Sequence, residues 1–166
     1  MKMVFLLVFA VSMPFSAAAE GLLGRKVTLR TETRVAGLTL TDDAPAQEAR
    51  ITENAEFDIG GPVPGTALYI VPVRVDLGSR WIEFTYYPGG VDQFLEADFN
   101  GYVFEFQPGC AELDGATLNP NASSVEVTDA DLVVEPNRLT LDVSGRVVTD
   151  GSRIVIDIDV GDCVAA

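Results

Sequence analysis

The stretch LTLDVSGRVVTDGSRIVIDIDV, residues 139–160, alternates apolar and polar side chains on both sides of a central Asp-Gly pair. A period of two is typical of a β-strand with one buried face, and Asp-Gly is a preferred two-residue hairpin turn. The two arms are therefore predicted to pair outward from the turn, with Val147 opposite Ile154 and Leu141 opposite Val160. One face of this hairpin is then wholly apolar and belongs to a core.

The other face of the predicted hairpin carries three carboxylates. Asp142 lies opposite Asp159, and Asp157 lies two residues along the same strand. Opposed and diagonal side chains on a sheet lie within about 8 Å of each other, so the three carboxylates form a candidate calcium site. The alternative is a solvated acidic face, and it is favoured because the sequence lacks the glycine-rich DxDxDG loop of calcium-binding proteins.

The same alternation recurs along the chain, as in KVTLRTETRV at residues 26–35, and no segment of the mature chain shows a helical period. The sequence therefore predicts an all-β fold, a single-domain antiparallel β-sandwich of the jelly-roll or Ig-like kind. We expect about eight to ten strands within residues 20–166. Pro72 interrupts the strand pattern ALYIVPVRVDL and predicts a sheet edge or a bulge there.

A second hairpin is predicted in FLEADFNGYVFEF, residues 94–106, with Asn100-Gly101 as its turn. This register places Glu96 opposite Glu105. Most glycoside hydrolases use two carboxylates at about this separation. Because no loop-built cleft is evident in so short a chain, we favour a structural interpretation of the pair.

The N-terminal stretch MKMVFLLVFAVSMPFSAAAE has one cation, a short apolar run and small residues before Glu20. These features indicate a secretory signal peptide at residues 1–19 and export to the periplasm or the cell exterior. The apolar run is too short to cross a bilayer, which takes about 20 residues, and no later run is longer. No membrane span is predicted.

Charge and composition exclude several functions. The chain has 25 acidic and 11 basic residues, a net charge of −14, so nucleic acid should repel it. It contains no histidine, which removes the Ser-His-Asp triad, the Cys-His dyad and histidine-containing zinc sites. We therefore expect a non-catalytic protein without an obligatory cofactor that acts either by binding a carbohydrate or protein partner or as a structural component.

Cys110 and Cys163 are the two cysteines of the chain. An even number of cysteines in an exported protein predicts a disulfide, and closing a loop of this length is worth on the order of 4 kcal/mol. The alternative is a redox-active thiol pair, which would require CxxC spacing and a neighbouring cation.

Trp81 and Tyr87 share one side of the strand RWIEFTYY, and Tyr86 takes the other side. Exposed rings on a sandwich face stack on sugars, so Trp81 and Tyr87 are candidate ligand-binding residues. With calcium at the three aspartates, they would make a calcium-dependent carbohydrate-binding module. The alternative is that the rings fill the core.

Three stretches, GLLGRKVTL (21–29), ADFNGYVFEF (97–106) and NRLTLDVSGRVV (137–148), resemble exported bacterial β-sandwich proteins that often carry a C-terminal Pro-Glu-Pro (PEP-CTERM) sorting signal. The resemblance implies a β-sandwich and brings no catalytic residues. This chain lacks both the sorting motif and the anchoring helix of that group, so surface attachment does not follow.

Overall fold

Thirteen β-strands and one 3-10 helix form the part of the chain that the structure, a computed structural model, describes: residues 21–40, 46–65, 68–109 and 112–161. The strands are β1 (Lys26–Val35), β2 (Leu38–Thr39), β3 (Gln47–Arg50), β4 (Phe57–Pro62), β5 (Tyr69–Leu77), β6 (Trp81–Tyr86), β7 (Val91–Gln93), β8 (Phe99–Phe106), β9 (Leu113–Leu118), β10 (Leu132–Glu135), β11 (Arg138–Asp142), β12 (Val147–Thr149) and β13 (Arg153–Val160). The 3-10 helix spans Asp129–Asp131, and no helix in these ranges is long and apolar enough to cross a membrane.

The strands form two main sheets and a small ribbon. Sheet 1 has the order β10-β11-β8-β1-β2, with β3 also paired to β1, and sheet 2 has the order β4-β5-β6-β13-β9. The ribbon consists of β7 and β12. All of these pairings are antiparallel, which confirms the predicted all-β antiparallel fold. The strands beyond the expected eight to ten are short, since β2, β3, β7 and β12 have two to four residues each.

Alternation along each strand places the core between the two sheets, as β13 shows. Ile154, Ile156 and Ile158 are buried on its inner side, whereas Asp157 and Asp159 are exposed on its outer side. Fully burying an isoleucine stabilises the fold by about 1.5–3 kcal/mol relative to leaving it exposed. The predicted orientation of this strand, apolar inward and acidic outward, is confirmed.

Aromatic rings fill the centre of the core. Phe84 of sheet 2 packs against Tyr102 and Phe104 of sheet 1, with ring centroids 4.8 and 5.9 Å apart. All three side chains are almost completely buried. Tilted and edge-on ring pairs of this kind add to the stabilisation that comes from burial alone.

The closing hairpin predicted around Asp150-Gly151 is wrong beyond its turn. The backbone N–H of Ser152 donates to the carbonyl of Thr149 at 3.0 Å, so the chain does reverse there. However, β12 pairs with β7, while β13 pairs with β6 and β9. The apolar faces of β11 and β13 therefore meet across the core from opposite sheets, because a turn sequence sets the local reversal and not the sheet that each arm joins.

Asn100-Gly101 forms no turn, so the second predicted hairpin is also wrong. Both residues lie inside β8, which pairs with β1 and β11. A Cβ atom on Gly101 would lie 1.9 Å from the carbonyl oxygen of Leu141, so this glycine permits two strands to approach closely. Glu105 therefore does not face Glu96, and its carboxylate instead pairs with Arg30 at 2.6 Å.

Pro72 lies at a bulge in β5, as the sequence predicted. The register between β4 and β5 shifts between Ile59 and Gly61, opposite the proline. A Cβ on Gly60 would lie 2.8 Å from the Cα of Pro72, so glycine is needed beside it. The bulge bends β5 near its start, next to Ile70 and Val71.

Candidate functional site

The three aspartates predicted to converge lie in two different sheets. Asp142 ends β11 in sheet 1, where it is registered with Gly101. Asp157 and Asp159 lie on the outer face of β13 in sheet 2. The register that would have brought Asp142 opposite Asp159 is wrong, because the two strands are not neighbours.

Asp142 and Asp157 each accept hydrogen bonds from different neighbouring residues. The carboxylate of Asp142 accepts from the backbone N–H groups of Asn100 and Ser144, at 3.1 and 2.9 Å. Asp157 accepts from the side-chain amide of Asn119 at 3.1 Å. Within the described ranges, no group of three or more His, Cys, Asp or Glu side chains is placed to hold a metal ion. The hairpin register from which the calcium site was predicted is therefore absent.

Trp81 begins β6 and Tyr87 follows its last residue; the alternation of burial keeps both on the outer side, as predicted, whereas Tyr86 is buried in the core. Six residue steps of about 3.3 Å place the two residues about 20 Å apart along the chain. The indole of Trp81 packs over Gly78, where an added Cβ would lie 2.2 Å from the ring. The two side chains therefore do not form one continuous aromatic platform.

The hydroxyl of Tyr87 donates a hydrogen bond to the carboxylate of Asp58. Partial burial, together with this hydrogen bond and the negative charge of Asp58, raises the pKa of Tyr87 to about 12. The phenol stays protonated at neutral pH and is held by Asp58 of β4, two strands away from β6 in sheet 2.

Cys110 and Cys163 lie outside the described residues, as does the signal peptide at residues 1–19. The disulfide and the signal peptide therefore stay predictions.

A cavity of about 220 Å³ lies between the two sheets, where the end of β1 faces the start of β5. We call it the corner cavity, and the residues that define it are Thr31, Thr33, Ile70, Val71, Phe94 and Asn100. Its volume equals that of about seven liquid water molecules, enough for a small organic molecule. Both sheets and the segment after β7 contribute to its walls, so any ligand inside would contact the inner faces of the sandwich.

Hydrogen bonds hold the polar wall of the corner cavity in place. The hydroxyl of Thr33 donates to the side-chain oxygen of Asn100 at 3.1 Å. The side-chain amide of Asn100 in turn donates to the carbonyl of Leu95 at 3.0 Å, and its backbone N–H donates to Asp142. Asn100 is thus fixed from three directions, and the polar wall is preorganised.

The mouth of the corner cavity carries exposed apolar side chains. Tyr69 and Leu95 line the cavity and yet are 57% and 49% exposed. Leu40 donates its backbone N–H to Thr33 at 2.8 Å, so by register it shares the inner face of sheet 1 with Thr33, and it is exposed as well. The apolar inner face of sheet 1 therefore extends beyond the area that sheet 2 covers.

A second cavity of about 210 Å³ lies beside the first, towards β3 and β4. The two cavities share Thr31, Val63 and Ile70 in their walls. The open side of the sandwich is therefore a pair of adjacent spaces separated by aliphatic side chains.

Phe94 forms the inner end of the corner cavity and covers two buried tyrosines. Its ring centroid is 5.8 Å from that of Tyr86 and 6.5 Å from that of Tyr102. Burial raises the pKa of both tyrosines well above the usual value, so both hydroxyls stay neutral. The cavity therefore ends on an aromatic, uncharged floor.

Sequence reasoning did not find the corner cavity. The signal for it was present in β1, where Thr31 and Thr33 take the core-facing positions that follow Val27 and Leu29. Two hydroxyl side chains on an inward face indicate a place where the core is incomplete or polar. Their partners across the cavity, by contrast, come from distant segments of the chain.

Comparisons with protein-family models, with curated proteins and with solved structures gave no match. The candidate site is therefore defined by its geometry alone.

Proposed function

We propose that this chain is an exported, non-catalytic protein that binds a small, largely apolar molecule in the corner cavity. The observation that carries the proposal is an open space between the sheets with aliphatic and aromatic walls and a fixed polar side. Small-molecule sites are typically concave and mostly apolar, with a few polar groups that orient the ligand. The corner cavity has this composition.

The chemistry of the walls supports binding rather than catalysis. The whole sequence contains no histidine, and the polar side chains that line the cavity are hydroxyls and amides apart from the single carboxylic acid of Asp92. A general acid or base works best with a pKa near the operating pH. Burial moves the pKa of the Tyr102 phenol further from neutrality, so this group does not exchange protons at physiological pH.

Methyl NMR with 2-phenylethanol as the probe tests the proposal. A neutral ligand of about ten non-hydrogen atoms should bind with a dissociation constant in the millimolar range. Binding should shift the methyl signals of Val63, Ile70 and Val71, which line the corner cavity.

Ile70→Trp should abolish these shifts, because the indole fills the space that the two cavities share. The matched control is Val133→Trp on the edge strand β10, where the side chain is 59% exposed and far from the cavity in sheet order. Shifts that are absent in the wild type, or that persist in Ile70→Trp, would contradict the proposed function.

A further inference from the structure

We infer that the ligand of the corner cavity is an organic cation, an amine with an apolar body whose ammonium group pairs with Asp92. This inference rests on the proposed function and names the class of molecule that the cavity would take. Among the described residues that line the cavity, Asp92 is the only member of the Asp, Glu, Lys and Arg types.

The carboxylate of Asp92 is on the inner side of the ribbon. Asp92 is registered with Val148, which is buried, and directly opposed residues in an antiparallel pair share a face. The alternate positions of the ribbon are exposed, and of these Gln93 also borders the cavity: Val91, Gln93, Val147 and Thr149. Asp92 therefore points to the protein side of the ribbon, where the corner cavity lies.

No cation of the protein neutralises Asp92 in the part of the chain that the structure describes. The ion pairs formed there use other carboxylates, among them Glu48, Glu105, Asp131 and Glu83. The one hydrogen bond recorded for Asp92 comes from the backbone N–H of Gln93 at 2.8 Å. The carboxylate of Asp92 is thus left for the ammonium group of a ligand, which would form a partly exposed ion pair with it.

The surroundings favour an organic cation over other charged ligands. The net charge of −14 attracts cations and repels anions over the whole surface. The aromatic faces of Tyr69 and Phe94 line the same space and interact favourably with an ammonium group. A metal ion is disfavoured, because calcium requires six to eight oxygen ligands and the remaining walls are largely apolar.

Three probes share a phenylethyl group and differ only in the group at its end, so they distinguish the effect of charge from that of the apolar body. They are 2-phenylethylamine, 2-phenylethanol and 3-phenylpropanoate. We expect the amine to bind roughly threefold to tenfold more tightly than the alcohol, as a partly exposed ion pair allows. The carboxylate should bind more weakly than both. The advantage of the amine should shrink in 0.5 M sodium chloride, where screening acts over only a few ångströms.

Asp92→Asn should bring the ratio of amine to alcohol affinity to about one. The matched control is Glu96→Gln, which removes one negative charge in the same segment at an exposed position that does not line the cavity. In this control the ratio should keep its wild-type value. Melting curves of both variants show whether each is folded before the titration.

The outcomes separate the two proposals. If the alcohol binds and the amine binds no more tightly, the inference is overturned while the proposed function stands. If Glu96→Gln lowers the ratio as much as Asp92→Asn does, the effect comes from net charge and the assignment to Asp92 is overturned. If no probe shifts the cavity methyl signals, both proposals fall.

Discussion

The centre and the corner of this sandwich are enclosed by the same two sheets and are filled very differently. At the centre, Phe84 packs against Tyr102 with ring centroids 4.8 Å apart. At the corner, Thr33 and Val71 face a cavity of about 220 Å³. The inner faces are continuous between the two regions, but their side chains differ, and the bulge at Pro72 bends β5 beside the corner.

The size of the inward side chains accounts for the difference. Two packed sheets lie about 10 Å apart, and side chains from both must span that gap. Aromatic rings reach across it at the centre, whereas threonine and valine at the corner are too short to meet. We therefore expect the centre to contribute most of the stability, whereas the corner is where the proposed ligand would bind.

The largest expected effect comes from emptying the centre. Phe104→Ala removes a side chain that is completely buried and should lower the free energy of unfolding by about 3–5 kcal/mol. Leu95→Ala at the mouth of the corner cavity should cost less than about 1 kcal/mol, because that side chain is half exposed. Urea denaturation of both variants measures the difference. Equal losses would show that the corner is as important for stability as the centre.

A smaller but still large effect is expected from crowding the close approach of β8 and β11. Gly101→Ala places a methyl group against the carbonyl of Leu141 and should destabilise the fold by about 3 kcal/mol, since backbone must move. The matched control is Gly115→Ala in β9, where the nearest atom to the new methyl is 3.5 Å away, an ordinary contact. Thermal unfolding should show a lower melting temperature for Gly101→Ala alone, and a stable Gly101→Ala variant would disprove the tight approach of β8 and β11.

The smallest expected effect concerns the outer surface behind the centre. Partial burial, with added repulsion from Glu56 and Glu83, raises the pKa of Asp76. The folded state therefore holds this proton more tightly than the unfolded chain does, so ionisation of Asp76 at neutral pH destabilises the fold. The penalty is absent below the ordinary aspartate pKa of about 4 and is complete once the pH exceeds the raised value.

Asp76→Asn should accordingly stabilise the protein by about 0.5 kcal/mol at pH 7 and leave it unchanged near pH 3, since repulsion between partly exposed charges is small. Glu126→Gln, at an exposed position, controls for the change in net charge. Chemical denaturation at the two pH values provides the measurement. A gain that persists at pH 3 would assign the effect to something other than ionisation.

Much of the local structure follows from the sequence alone. The alternation in β13 and β1 predicted strands, and it also predicted which side chains point inward, because successive residues in a strand project to opposite faces. Pro72 predicted a sheet edge or a bulge, because proline cannot donate to a sheet ladder, and β5 has the bulge. These inferences depend on covalent geometry and nearest neighbours, which the order of residues determines.

Only the tertiary structure decided which strands are neighbours. Asp142 is separated from Asp157 and Asp159, and Asn100-Gly101 lies within a strand, because pairing depends on which faces and edges the rest of the chain leaves available. The corner cavity is likewise built by β1, β5, β8 and the segment after β7, which are far apart in sequence. A cavity is the space that distant side chains fail to fill, and this space is defined only once the two sheets have packed.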